Sequence, residues 1–304
     1  MATTTTKMIT QQPVMKNTTP IPENRTTPDK VETSIGTLEF FDGVPIGNTR
    51  ETLVDFVDRG RAVEAFINMT PAASMYSLRQ GHRDEGLTKS NQIFIAEEMG
   101  DSKPLVLTWN NTSLYTWGFL DLKADGPTVI EAPPDVLGIL DDMYFRYMSD
   151  MGAAGPDKGK GGKYLILPPG YDGDVPDGYY VVKSQTYCVW NFMRGRVHGS
   201  PQDPDNVKKA TENIKQNLKV YPLSKASNPP KMEFKDMSGL AGYNTIMPND
   251  YSFFEVVNEI VQEEADGWLD PELAGQLRAI GIMKGQKFDP DERMKKILTD
   301  AVAI

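Results

Sequence analysis

Apolar positions recur with helical spacing at both ends of this chain and with strand-like punctuation in its middle. In the segment 50–68, Leu53, Phe56, Val57, Val63, Phe66 and Ile67 fall on a helical period, with Gly60 weakening the middle. Thr70-Pro71 then supplies a stop, followed by an N-cap and first-turn proline for a second helix to about Gln80. A short apolar-acidic segment spans 92–97. Beyond it come short runs that are β-branched or aromatic: LVLTW (105–109), YTWGFLDL (115–122), TVIE (128–131), YLIL (164–167), YYVV (179–182) and YCVWNF (187–192). Gly, Pro, Asn or Asp bounds each of them, which is strand chemistry. The segment MYFRYM (143–148) reads as one more strand.

Helical spacing returns after residue 200. Asp205 is the expected cap of a helix to about Val220, and Asp250 of one over 251–264, where Phe253, Phe254, Val257, Ile260 and Val261 make one apolar face. Asp270-Pro271 opens a shorter helix ending near Gly281. Asp289-Pro290 opens the last, with Met294, Ile297, Leu298, Ala301 and Val302 on one side. That face stops in mid-pattern, so a continuing chain or a partner is expected to cover it. The fold expectation is α+β: a disordered tail over 1–30, an N-terminal helical region over 31–100, a β-sandwich over 101–200 and a helical segment over 201–304.

The densest turn chemistry lies in GAAGPDKGKGGKYLILPPGYDGDVPDGYYVV, residues 152–182. It reads as a glycine-rich loop, a short strand, a Pro-Gly turn and a second strand. Lys158, Lys160 and Lys163 face only Asp157 in the loop, so it is locally basic and an anion could rest on its backbone N–H groups. A phosphate-binding P-loop is excluded by spacing, because Gly155 and Gly159-Lys160 are one residue too close and Gly161 stands where Ser or Thr is required. The alternative is a solvated loop at the end of a sheet.

Composition narrows the function classes. At 304 residues and 39% apolar, with four tryptophans, the chain can bury a sizeable core, and no apolar run approaches the ~20 residues of a membrane helix. A net charge of −10 argues against general binding of nucleic acid or anionic lipid. Residues 1–30 hold no apolar leader, so the cytoplasm is the default expectation. Cys188 is the only cysteine and sits in an apolar-aromatic run, where a buried structural thiol is expected. His82 and His198 are the only histidines and lack metal-ligand spacing, so neither a metal nor another cofactor is expected. No G-x-S-x-G elbow is present.

Three clusters remain for chemistry. Trp109, Asn110, Asn111, Tyr115 and Trp117 set stacking rings beside amides, the equipment for holding a polar organic or carbohydrate-like ligand, and Arg194 follows the last aromatic strand toward the same cleft. Asp141, Asp142 and Arg146 offer paired carboxylates and a cation for acid-base work of a hydrolase-like kind. Lys158, Lys160 and Lys163 make up the third, as an anion site.

Four motifs in fixed order carry a family resemblance: LTWNNTSLYTWGF from Leu107, DMYFRYMSDMGAAGPDKGKGGKYLILPPGYDGDVPDGYYVV from Asp142, KVYPLS from Lys219 and AIGIMKGQKFDPDERMKKILTDA from Ala279. Over about 50–304 the chain resembles the tandem bacterial family built from two domains of unknown function, numbered twelve-fifty-four and twelve-fourteen. The resemblance implies a β-sandwich followed by a helical segment. It also implies a further C-terminal jelly-roll domain and, often, export behind a signal peptide to the bacterial envelope, and neither segment is expected within residues 1–304. It implies no catalytic residues. The functional expectation is a ligand-binding sandwich, with a carboxylate-assisted enzyme and an assembly protein, self-associating through its C-terminal helical segment, as alternatives.

Overall fold

The computed structural model describes residues 22–25, 28–106 and 109–303. Most of the expected tail over 1–30 lies outside the described residues, as do Leu107 and Thr108 of the expected strand 105–109. Two compact units are formed, one ending at Val57 and the other starting at Asp58. In the first, strands β1 (Lys30–Thr33), β2 (Gly36–Phe41) and β3 (Val44–Pro45) build a small antiparallel sheet within a stretch expected to be helical. Asp42 and Gly43 join β2 to β3, both at positive φ (49° and 80°), as a tight two-residue hairpin turn demands.

The division between the units falls within one long helix, α1 (Thr49–Asp84), where two had been expected to meet at Thr70-Pro71. Pro71 withholds one N–H from the helix, but Thr70 Oγ1 donates to the Phe66 carbonyl at 2.8 Å, and Met69, Ala72, Ala73 and Met75 are buried on both sides of the proline. Packing therefore outweighs the break. The inward face also differs from expectation. Phe56, Val57 and Ile67 are exposed, whereas Ala62, Ala65, Met69, Ala72 and Ala73 are buried. Small side chains let α1 approach its neighbours closely. Replacing Pro71 with Ala should restore the donor to the Ile67 carbonyl and raise stability by about 1 kcal/mol. Urea melts test this, and a less stable variant would mean that the proline is accommodated by more than burial.

The second unit is a β-sandwich covered by helices. Its larger sheet contains β4 (Gln92–Ile95), β5 (Leu114–Asp121), β7 (Val136–Asp142), β8 (Tyr147–Gly152), β11 (Cys188–Gly195) and β13 (Glu233–Asp236), in the order β13-β4-β5-β11-β7-β8. Its smaller sheet has β6 (Thr128–Ala132), β9 (Gly162–Leu167), β10 (Tyr180–Lys183) and β12 (Lys219–Pro222), in the order β10-β9-β6-β12. All pairings are antiparallel except β13 with β4 and β10 with β9. Strands β4, β12 and β13 come from outside the expected span of 101–200. The helix α2 (Leu122–Asp125) follows β5, its N-terminus held by Asp121 Oδ1, which accepts the Lys123 and Ala124 N–H groups at 3.1 Å.

Between the sheets lie Ile93, Leu114, Leu120, Val189 and Met193 from the larger one and Ile130, Tyr164, Ile166, Val182 and Val220 from the smaller one. Helix α3 (Pro204–Asn217) adds Val207 and Ile214 to this core. Its cap is Asp203 rather than Asp205, and the stretch expected to finish it is strand β12. The other face of the larger sheet packs Phe94, Tyr115, Trp117 and Phe119 against α1, α4 (Ser252–Glu263), α5 (Pro271–Ala279) and α6 (Glu292–Val302). Strand β5, covered on both faces, is buried along nearly its whole length. Asp270 caps α5 as expected, whereas α4 has Tyr251 at its cap position with Asp250 one residue before it accepting the Ser252 N–H at 2.9 Å, and α6 is capped by Asp291. Ile297, Leu298, Ala301 and Val302 of α6 are buried in this core, so the chain itself covers the face that seemed to need a partner. Segment 143–148 is not a single strand: β8 begins at Tyr147, and 143–146 form the turn from β7.

Candidate functional site

The site is built on the helix-covered face of the larger sheet. Pairing of β11 with its neighbours sets Tyr115 beside Arg194 and Leu137, then Trp117 beside Phe192 and Ile139, then Phe119 beside Trp190 and Asp141. Strand alternation puts these three rows on one face. A cavity of about 550 Å³ opens over them. Its floor is Tyr115, Trp117, Ile139, Asp141, Trp190, Phe192 and Arg194, and its walls are Ser74 and Leu78 of α1, Val106, Trp109, Phe145 and the segment 245–247.

Most of this lining is aromatic. Trp190 stacks on Phe192 with ring centroids 4.8 Å apart, and Trp109 lies 5.6 Å from Tyr115 and 6.1 Å from Trp117. Gly100 seats the Trp109 indole, since a Cβ there would fall 1.7 Å from Nε1. The Arg194 guanidinium lies 5.3 Å from the Tyr115 centroid and 5.7 Å from that of Phe192, and it makes no ion pair among the described residues. Five residues singled out from sequence thus converge: Trp109, Tyr115, Trp117, Asp141 and Arg194. Asn110 serves them from outside. Its amide nitrogen donates to the Tyr115 hydroxyl at 2.6 Å, while its oxygen accepts the Thr112 and Ser113 N–H groups at 2.9 and 3.0 Å. Asn111 is exposed and does not line the cavity.

The carboxylate pair divides its roles. Asp141 lines the cavity at 6% exposure, and its Oδ1 has no hydrogen-bond partner among the described residues. Burial, then the neighbouring carboxylates of Asp142 and Asp150, push its pKa up to about 6. Asp142 turns away from the cavity. Its Oδ1 accepts the Tyr144 and Arg146 N–H groups at 2.8 and 3.0 Å, and its Oδ2 takes the Arg146 Nε–H at 2.6 Å. Asp142 and Arg146 therefore build the turn that delivers Phe145 to the cavity wall, and they do not form a cleft with Asp141. Phe145 sits at φ +60°, an unusual place for a bulky residue, with its ring edge-on to Trp190 at 5.5 Å.

Residues missed from the sequence are Ile139, Trp190 and Phe192 of the floor and Ser74, Leu78, Phe145 and 245–247 of the walls. The alternation Trp190, Phe192, Arg194 was a legible signal for part of the floor. Segment 245–247 has no periodic pattern.

The glycine-rich loop lies elsewhere and supplies its own anion. Asp157 is buried, and its carboxylate accepts the Gly152 N–H at 2.7 Å, the Gly161 N–H at 3.0 Å and the Tyr164 hydroxyl at 2.5 Å. Lys158 and Lys160 are exposed, and Lys163 pairs with Glu131 at 3.6 Å. Of the loop's N–H groups, those of Gly152 and Gly161 are taken by the Asp157 carboxylate, and those of Gly155, Lys158 and Lys160 by the backbone carbonyls of Gly152, Gly155 and Asp157. The expected Pro-Gly turn is present, with the Tyr171 N–H donating to the Pro168 carbonyl at 3.2 Å, but the strands on either side of it, β9 and β10, run parallel.

His82 and Cys188 meet in a second, smaller pocket of about 180 Å³ with Arg79, Arg83, Lys123 and Glu264. His82 is buried in α1, edge-on to Phe94 and Phe119, and burial lowers its pKa to about 4. Burial likewise pushes the Cys188 thiol up to about 12, so the pair is held as neutral imidazole and thiol. Glu264 accepts the Cys188 N–H at 3.0 Å and the Tyr187 N–H, and burial raises its pKa to about 7. His198 is exposed, 3.4 Å from Asp135. Among the described residues no group of His, Cys, Asp and Glu is disposed to hold a metal ion, and no helix is long and apolar enough to cross a membrane.

The whole of this floor lies within the span that a family model matches. Residues 90–222 match the family described as "Protein of unknown function (DUF1254)". Among solved structures, the fold is similar to the crystal structure of the VPA0106 protein from Vibrio parahaemolyticus, with a TM-score of 0.54 at 19% identity. That similarity covers 81% of this chain and 57% of the other, so the chain spans little more than half of that protein's length. No curated protein matches the chain. The family match takes in Tyr115, Trp117, Asp141, Trp190 and Arg194, whereas α1 and segment 245–247, which wall the cavity, lie beyond it.

Proposed function

We propose that this chain is a binding protein for a small, largely apolar organic molecule, held between the larger sheet and its helical cover. The carrying observation is the cavity of about 550 Å³ over three rows of side chains, a size that suits a ring-bearing organic ligand. The lining shifts the expected ligand away from a sugar. Asn110, the amide best placed to read hydroxyls, is occupied by Tyr115 and the 110–113 turn, and Ser74, Asp141, Arg194 and Thr245 are the chief polar groups among aromatic and aliphatic walls. The strained Phe145 at the wall supports the same reading, since such conformations gather at ligand sites. A place in the bacterial envelope rests on the sequence resemblance alone.

An acid-base enzyme is the second reading, favoured by Asp141, a buried cavity carboxyl whose pKa is near 6. It lacks the partner once expected for it, because Asp142 and Arg146 are engaged with each other at 2.6 Å. The assembly reading loses the exposed apolar face of α6 on which it rested.

Tryptophan fluorescence on titration with 2-naphthol tests the binding reading. We expect saturable quenching in the native chain and its loss in Ile139→Trp, which fills the floor. Equal quenching of a folded Ile139→Trp variant would place binding elsewhere and overturn it.

A further inference from the structure

The two charged side chains of the cavity stand at opposite ends of its floor. Arg194 and Trp190 are four residues apart on β11, and Asp141 is the register partner of Trp190. At ~3.3 Å per residue these rows are roughly 13 Å apart. The Arg194 guanidinium leans over Tyr115 and Phe192, which shortens the reach to on the order of 10 Å. Between the ends lie only rings and Ile139. One end therefore offers a delocalised cation laid on aromatic faces, and the other offers an acceptor oxygen, Asp141 Oδ1, with no hydrogen-bond partner among the described residues. A buried carboxyl oxygen left unmatched is costly unless a ligand or water donates to it.

Resting on the binding reading above, we propose that the ligand is a rigid, ring-bearing carboxylic acid, its carboxylate paired with Arg194 and its far end donating a hydroxyl proton to Asp141. Direction along the floor is set by charge. A carboxylate at the Asp141 end would meet Asp141 and the nearby Asp150, whereas at the Arg194 end it meets a guanidinium that has no ion pair among the described residues. The ring system between them replaces water over Trp117, Phe192 and Trp190.

The test uses 6-hydroxy-2-naphthoic acid, whose two oxygen groups sit at opposite ends of one bicyclic ring, with its methyl ester, 2-naphthoic acid and 2-naphthol as comparators. By calorimetry at pH 8, the hydroxy acid should bind the native chain at least about tenfold more tightly than its ester. Arg194→Gln should abolish that difference by weakening the acid at least about tenfold more than the ester. Asp141→Leu should abolish the preference for the hydroxy acid over 2-naphthoic acid. If ester and acid bind alike, or if Arg194→Gln weakens both equally, the proposal fails while 2-naphthol binding keeps the cavity reading alive. If none of the four compounds binds, both fail. Near-UV circular dichroism of each variant confirms that loss of discrimination is not loss of fold.

Discussion

Replacing Asp157 with Ala is expected to lower the stability of the folded chain by about 3–5 kcal/mol, the largest effect anticipated for a single substitution here. The residue looks like a surface aspartate in a glycine-lysine loop, yet it is buried and its carboxylate is the acceptor for two backbone N–H groups and one phenol. Alanine would leave all three donors without a partner. Tyr164 could not turn to water, because it is fully buried and its hydroxyl is already held well above the ordinary phenol range by burial and by Asp157. Removing both Lys158 and Lys160, which are exposed, should change stability by less than about 0.5 kcal/mol. Denaturant melts of the variants decide the matter. An Asp157→Ala chain within 1 kcal/mol of the parent would mean that the loop has an alternative closure.

The second large effect concerns pH. Burial raises Asp141 from 3.8 to about 6 and Glu264 from 4.5 to about 7. The folded chain then holds both protons more tightly than the unfolded chain, so the stability owed to each group is full below its unfolded pKa and is lost as the pH climbs through its folded one. For Asp141 the window is 3.8 to about 6, and its width corresponds to roughly 3 kcal/mol. Asp141→Asn should match the parent at pH 4 and exceed it by about 2–3 kcal/mol at pH 8. The comparison between chains isolates this residue from opposing groups such as Glu131, whose pKa is lowered with Tyr221 and two lysines beside it. An Asn variant no more stable than the parent at pH 8 would show that Asp141 is solvated after all. Glu264→Gln should behave differently, because Tyr187 and Cys188 N–H groups both need carboxylate oxygens, and an amide turns one acceptor into a donor.

Both cases bear on what the sequence could convey. Strands with clean punctuation, such as β6 and β9, were legible because β-branched and apolar residues stand between turn formers. So was the aromatic content of the site, since Trp109, Tyr115 and Trp117 sit close in sequence. Strand β7 was not legible: Gly138 interrupts it and two aspartates end it, so its alternation is hidden. The face of α1 was misread because alanines carry little hydropathy, although they are what lets the helix pack closely. The β9–β10 pairing was beyond local inspection, because nothing in Pro168-Pro169-Gly170 dictates whether the chain returns beside its own strand or crosses over. The division between Asp141 and Asp142 needed the bulge at Leu140/Asp141 and the turn after it, both products of pairing.

The parallel pairing of β13 with β4 carries a consequence for biosynthesis. Phe234 must find Ile93, and Asp236 must find Ile95, across more than a hundred intervening residues. On the ribosome, β4 therefore waits as an open edge until the chain has been made as far as Asp236. A nascent chain ending at the limit of the family match, residue 222, would have every other strand of the sandwich but no β13. Such an intermediate leaves the edge of β4 unpaired while the rest of the sheet is complete, the kind of edge on which strands of other chains can add.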